Sequence, residues 1–106
     1  MATGILGAVE ILAITNTTVY TVPADTFAVV TINAVNTTTV PKTVRLALAT
    51  TGTPGIAEYI EYDVEVLGNG VVERTGIVLE AGRNVVAYVN SGGVSVQVYG
   101  IETSTI

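Results

Sequence analysis

The sequence predicts an all-β fold: a single antiparallel β-sandwich of jelly-roll or Ig-like type, with about eight strands in one domain over residues 1–106. Three observations predict it. The chain holds 17 Thr and 19 Val, so about a third of it is β-branched, stiff at χ1 and suited to a pleated, half-buried surface. Short apolar segments are separated at regular intervals by residues that tolerate turn dihedrals. No segment combines a helical apolar period with a cap.

Strands are expected at about residues 7–14, 18–22, 27–36, 43–50, 58–67, 71–79, 84–90 and 94–101. The first follows from the apolar run of "GAVEILAI", the second from "TVYTV" ahead of the turn Pro23-Ala24-Asp25. The third, "FAVVTINAV", is apolar at nearly every position, as in a strand covered on both sides, and the second cover could be another subunit. Residues Asn36 to Pro41 end it. In the fourth, "VRLALA", Val44, Leu46 and Leu48 share one face and Arg45, Ala47 and Ala49 the other. Gly52 to Gly55 then break the chain. The fifth strand alternates, with Ile60, Tyr62, Val64 and Val66 expected inside and Glu61, Asp63 and Glu65 outside. Asn69-Gly70 is the preferred two-residue type I′ loop, and a hairpin closed by it would set Glu65 opposite Arg74. The seventh strand follows Ala81-Gly82. Ser91-Gly92-Gly93 reads as a hairpin turn into "VSVQVYG", whose Val94, Val96 and Val98 point inward.

Composition narrows the function. With neither Cys nor His, the chain has no thiol nucleophile, no disulfide and no imidazole ligand or base, so Ser91, Ser95 and Ser104 lack a His to activate them. Nine acids against four bases give a net charge of -5, the wrong sign for wrapping a phosphate backbone, so no nucleic acid partner is expected. The apolar start lacks a basic segment and is interrupted by Glu10, so no export signal is read; no apolar stretch is long enough for a membrane-spanning helix, and no membrane partner is expected. Asn16-Thr17-Thr18 and Asn36-Thr37-Thr38 match a glycosylation pattern but read as strand ends and turns.

The acidic stretch "EYIEYDVEVLGNGVVERTG" draws five of the nine acids together: Glu58, Glu61, Asp63, Glu65 and Glu73. Same-face residues along a strand stand roughly 6.6 to 7 Å apart, whereas hard cations need oxygens at about 2.3 to 2.6 Å from several directions. The stretch is therefore expected to be a solvated hairpin face; a contact surface for basic residues of a partner and a cation site are its alternatives. Paired carboxylates also need a cleft with unequal environments to act as acid and base. The sequence nominates no catalytic, metal-binding or cofactor-binding residue. Tyr20, Tyr59, Tyr62, Tyr88 and Tyr99 are scattered over the expected strands, and there is no Trp to make a sugar platform.

Charged residues are only 12% of the chain against roughly 25% in average soluble domains. Part of the outside is therefore expected to be buried against other subunits.

"TVYTVPADTFAVVTINAVNTT" (18–38), "VRLALA" (44–49), "EYIEYDVEV" (58–66), "GVVERTGIVLEAGRNVVAYVN" (70–90) and "VSVQVYGIE" (94–102) together resemble the small β-sandwich virion proteins of tailed bacteriophages. The most specific parts are "YTVPA" (20–24), "YIEYD" (59–63) and "ERTGIVLEAG" (73–82). The resemblance implies a structural role without enzymatic activity: capsid decoration or cement, with a homotrimer as the preferred oligomer and the major capsid protein or another virion protein as partner. Collar, tail or fibre-associated subunits fit the same resemblance. A carbohydrate-binding module is the alternative from a different class.

Overall fold

A computed structural model describes residues 2–106. Eight strands form, β1 (Thr3–Glu10), β2 (Thr17–Thr21), β3 (Thr26–Asn36), β4 (Lys42–Ala49), β5 (Tyr59–Val66), β6 (Val71–Leu79), β7 (Asn84–Val89) and β8 (Val94–Ser104), with a single 3₁₀ turn at Ile56–Glu58. They make two four-stranded sheets. Sheet A has the order β1-β8-β3-β6 and sheet B the order β2-β7-β4-β5, and every pairing within them is antiparallel. The chain changes sheets at every connection except β4 to β5. This winding is that of a jelly roll rather than an Ig sandwich.

The inward positions are those that alternation marks. Ala28, Val30, Ile32 and Ala34 of β3, Val44 and Leu46 of β4, and Val94, Val96 and Val98 of β8 meet in one core between the sheets. Its side chains are small, and their apolar burial is what holds the sheets together.

Two expectations need correction. First, β1 begins four residues earlier than expected and β8 ends three later, because β8 runs on to pair Ile101 with Thr3 and Ser104 with Thr26. Second, neither Asn69-Gly70 nor Ser91-Gly93 closes a hairpin: β5 and β6 lie in different sheets, as do β7 and β8. The turn at Leu67 to Gly70 is closed by the Gly70 N–H donating to the Leu67 carbonyl at 2.8 Å, with positive φ at Asn69 (59°) and not at Gly70. Positive φ at the third residue alone belongs to a type II turn, which Asn tolerates. Gly68 precedes it because a Cβ there would lie 2.4 Å from the Thr39 carbonyl oxygen. The chain itself covers "FAVVTINAV" on one side, which leaves the place of the expected second cover open. Phe27, Val29, Thr31 and Asn33 are half-buried by their neighbours, Val35 is exposed, and no strand lies over them.

The loops at one end are knitted together by Asn36, which is fully buried. Its Nδ2 donates to the carbonyls of Val40 (2.8 Å), Val66 (3.1 Å) and Leu67 (3.3 Å), and its Oδ1 accepts from the Thr38 N–H and hydroxyl. The glycosylation pattern at Asn36 is thus structural.

Candidate functional site

The five acids of the 58–76 stretch are dispersed. Glu58 accepts from the Gly55 and Thr50 N–H groups and sits 3.5 Å from Arg83. Glu61 pairs with Arg74 at 2.7 Å, and the same guanidinium nitrogen donates to the Ile60 carbonyl at 2.8 Å, so Arg74 of sheet A clasps the edge of sheet B. Asp63 pairs with Arg45. Glu65 stands opposite Thr43 on β4 rather than opposite Arg74, because β5 pairs with β4. Glu73 lies on sheet A, where it accepts from the Tyr99 hydroxyl at 3.3 Å. Among the described residues no group of three or more acids is close enough to hold a metal.

The outer face of sheet B is built around a bulge. Val44 pairs with Val64 and Leu46 with Glu61, so Tyr62 and Asp63 together face the single residue Arg45. Asp63 takes the bulge's positive φ (52°). The extra residue reverses the alternation, which is why Tyr62 is 52% exposed instead of buried. It also aims Asp63 at Arg45, with Nε donating at 2.6 Å and Nη2 at 3.2 Å. The Arg45 guanidinium lies 4.3 Å from the ring centre of Tyr62 and 4.6 Å from that of Tyr88, and Tyr59 meets Tyr62 edge to face at 4.9 Å. Beneath these side chains, Ala47, Ala49 and Val86 are fully buried in a second small cluster against Tyr59. Three tyrosines are therefore gathered rather than scattered. Sequence reasoning missed this cluster because the bulge carries no Gly to announce it. The Arg45 guanidinium holds the Asp63 carboxyl below its usual range, chiefly through the hydrogen bonds.

A shallow depression of about 290 Å³ lies at the opposite end of the sandwich from Asn36, lined by Leu48, Tyr59, Ile60, Leu79, Glu58 and Arg83. Glu58 is held below the usual carboxylate range mainly by the Gly55 N–H, and Glu80 mainly by its hydrogen bonds from Arg83. Both are anions near neutrality, so neither has a proton to give as a general acid.

The outer face of sheet A is different. Its rows, read across β8, β3 and β6, are Ser95, Val35 and Val71; then Gln97, Asn33 and Glu73; then Tyr99 beside Thr31; then Ile101, Val29 and Val78. From β1, Ile5 pairs with Tyr99 and Glu10 with Ser95. Ile5, Val71 and Val78 are each more than half exposed, and Ile101 is nearly so. The middle row is polar: Asn33 Nδ2 donates to the Tyr99 hydroxyl at 3.4 Å, and that hydroxyl donates to Glu73. Asn33 Oδ1 is buried and has no donor. Among the described residues the face carries acids and no base, and its long side chains Gln97, Glu73 and Tyr99 belong to the polar rows, with Tyr99 tied to Glu73.

Comparison with protein-family models, with curated proteins and with solved structures finds no match for this chain.

Proposed function

We propose that this chain is a structural protein of a tailed-bacteriophage virion: a decoration or cement protein that forms homotrimers on the capsid surface and stabilises the shell by bridging major capsid subunits. The observation that supports this reading is the open outer face of sheet A. A small domain that seals one outer face with its own side chains and leaves the other as rows of Val and Ile is built to be covered by another protein. A second apolar region, with Leu12, Ile14, Val40 and Leu67 exposed on the loops at the Asn36 end, offers a surface for contacts between copies. Ile14, at φ 55°, is fixed in place by its N–H donating to the Val89 carbonyl at 2.9 Å, with its side chain exposed.

The collar, tail or fibre position uses the same surface and is separated from the capsid by locating the protein on the particle. The sugar-binding alternative needs free ring faces, and the guanidinium between Tyr62 and Tyr88 occupies one face of each.

Capsids stripped of the protein should bind it on re-addition, and light scattering at micromolar concentration should give a mass near three chains. Failure to co-sediment with shells, or a 10.9 kDa monomer alone, overturns the respective half of the proposal.

A further inference from the structure

The open face has a chemistry that points to the kind of surface it meets. Glu73 and Glu10 flank it on β6 and β1, and no Lys or Arg projects from it. At its centre the exposed Glu73 carboxylate takes one hydrogen bond, from the Tyr99 hydroxyl. With its other acceptor positions open, this carboxylate is half of a charge-assisted pair with an incoming cation. A second copy of this chain supplies the other half poorly. Its four bases are Lys42, Arg45, Arg74 and Arg83. All three arginines are in intramolecular ion pairs, and Lys42 donates to the Ser91 hydroxyl at 2.6 Å. Two such faces brought together would also set acid against acid.

We propose that the outer face of sheet A docks onto a different protein whose contact patch carries Lys or Arg among apolar residues. The cation meets Glu73, and the apolar side chains cover Ile101, Val29 and Val78. For the source of that patch the inference rests on the virion reading: it is the outside of the capsid shell. Complementary charge selects the partner and speeds encounter, while the Val and Ile row supplies the buried area.

The test compares two variants with the same charge change, Glu73→Lys on the face and Glu65→Lys on edge strand β5 of sheet B, each confirmed as folded by thermal melting. In binding to stripped shells, Glu73→Lys should weaken affinity at least about tenfold and Glu65→Lys by no more than about twofold, and added salt should weaken the wild-type protein. Equal effects of the two variants overturn the inference. So does a wild-type oligomer that Glu73→Lys or Val78→Asp converts to monomer, since a copy would then cover the face. A second probe works without shells: a peptide alternating Lys and Val, titrated into isotope-labelled protein. Its amide shift changes should map to β3, β6 and β8 and disappear in Glu73→Lys. If wild-type protein fails on shells but the peptide maps to this face, the virion reading falls and the docking chemistry stands. If the peptide maps elsewhere or nowhere, the docking chemistry falls.

Discussion

The two outer faces of this sandwich solve the same problem in opposite ways. On sheet B the strands place Ala47, Ala49 and Val86 outward, and long side chains fold down over them: Tyr59, Tyr62 and Tyr88, with the Arg45 guanidinium between two of the rings. On sheet A the outward apolar residues include Val35, Val71, Val78 and Ile101, all exposed, beside a half-buried Val29. Small residues beneath large ones make a finished surface. Medium-sized β-branched residues side by side make one that waits for a partner. The size order of neighbours distinguishes the faces.

The contrast is broken most directly by placing the same charge on each. Ala47→Asp buries a carboxylate under Tyr59 and should cost on the order of 3 kcal/mol or more, whereas Val78→Asp at a position 67% exposed should cost less than about 0.5 kcal/mol in the isolated protein. Denaturant melts of the two variants check this. Comparable losses would mean that sheet A is as closed as sheet B.

A smaller effect is expected where the faces are tied together. Arg74→Ala removes the hydrogen bond to the Ile60 carbonyl and the Glu61 pair, and should cost about 1 kcal/mol, given the partial exposure of both side chains. The same melts read it, and a loss below about 0.3 kcal/mol would show that the clasp is dispensable.

Acid should act through four paired carboxylates. Asp63 is held low by Arg45, Glu58 by the Gly55 N–H, Glu80 by Arg83 and Glu102 by the Tyr20 hydroxyl, which donates to it at 2.5 Å. A carboxyl whose folded pKa is below its unfolded value contributes stability that is present above the unfolded value and lost as pH falls through the folded one. The melting temperature should therefore be level down to about pH 5 and fall below roughly pH 4. Asp63→Asn should make that fall shallower. Tyr20 works in the other direction, its pKa raised by burial and then by Glu102, so its contribution should fade above about pH 10.

The smallest effect is expected at Glu65. It faces Thr43 with no ion pair, and Glu65→Ala should change stability by less than about 0.5 kcal/mol. A larger loss would make the edge of sheet B a hidden contact.

The strands themselves were legible because alternation and turn residues are local signals. Val44, Leu46, Val94, Val96 and Val98 point inward as their spacing requires. Sheet membership was not legible. Asn69-Gly70 has the composition of a tight hairpin, yet the chain uses Asn69 alone at positive φ and crosses to the other sheet, a choice fixed by Asn36 and Thr39 across the loop. The sealed face was hidden for a related reason. One extra residue at Asp63 turns Tyr62 outward, and without Gly there the sequence carries no mark of the bulge. The open face was foreseen in part from the two-sided apolar run in β3, but its polar centre depends on Asn33, Glu73 and Tyr99 meeting across three strands.

The winding of the chain also sets the order in which it can fold. Only β4 and β5 pair with a near neighbour in sequence, while β1 pairs with β8, at the other end of the polypeptide. Such non-local pairing places folding in the millisecond-to-second range, slow for so short a chain. On the ribosome, β1 has no sheet partner until β8 is made, and its edge stays open until then. The β4–β5 hairpin, fixed by Arg45 and Asp63, is the one piece that can form early, so the sealed face should be assembled before the open one exists.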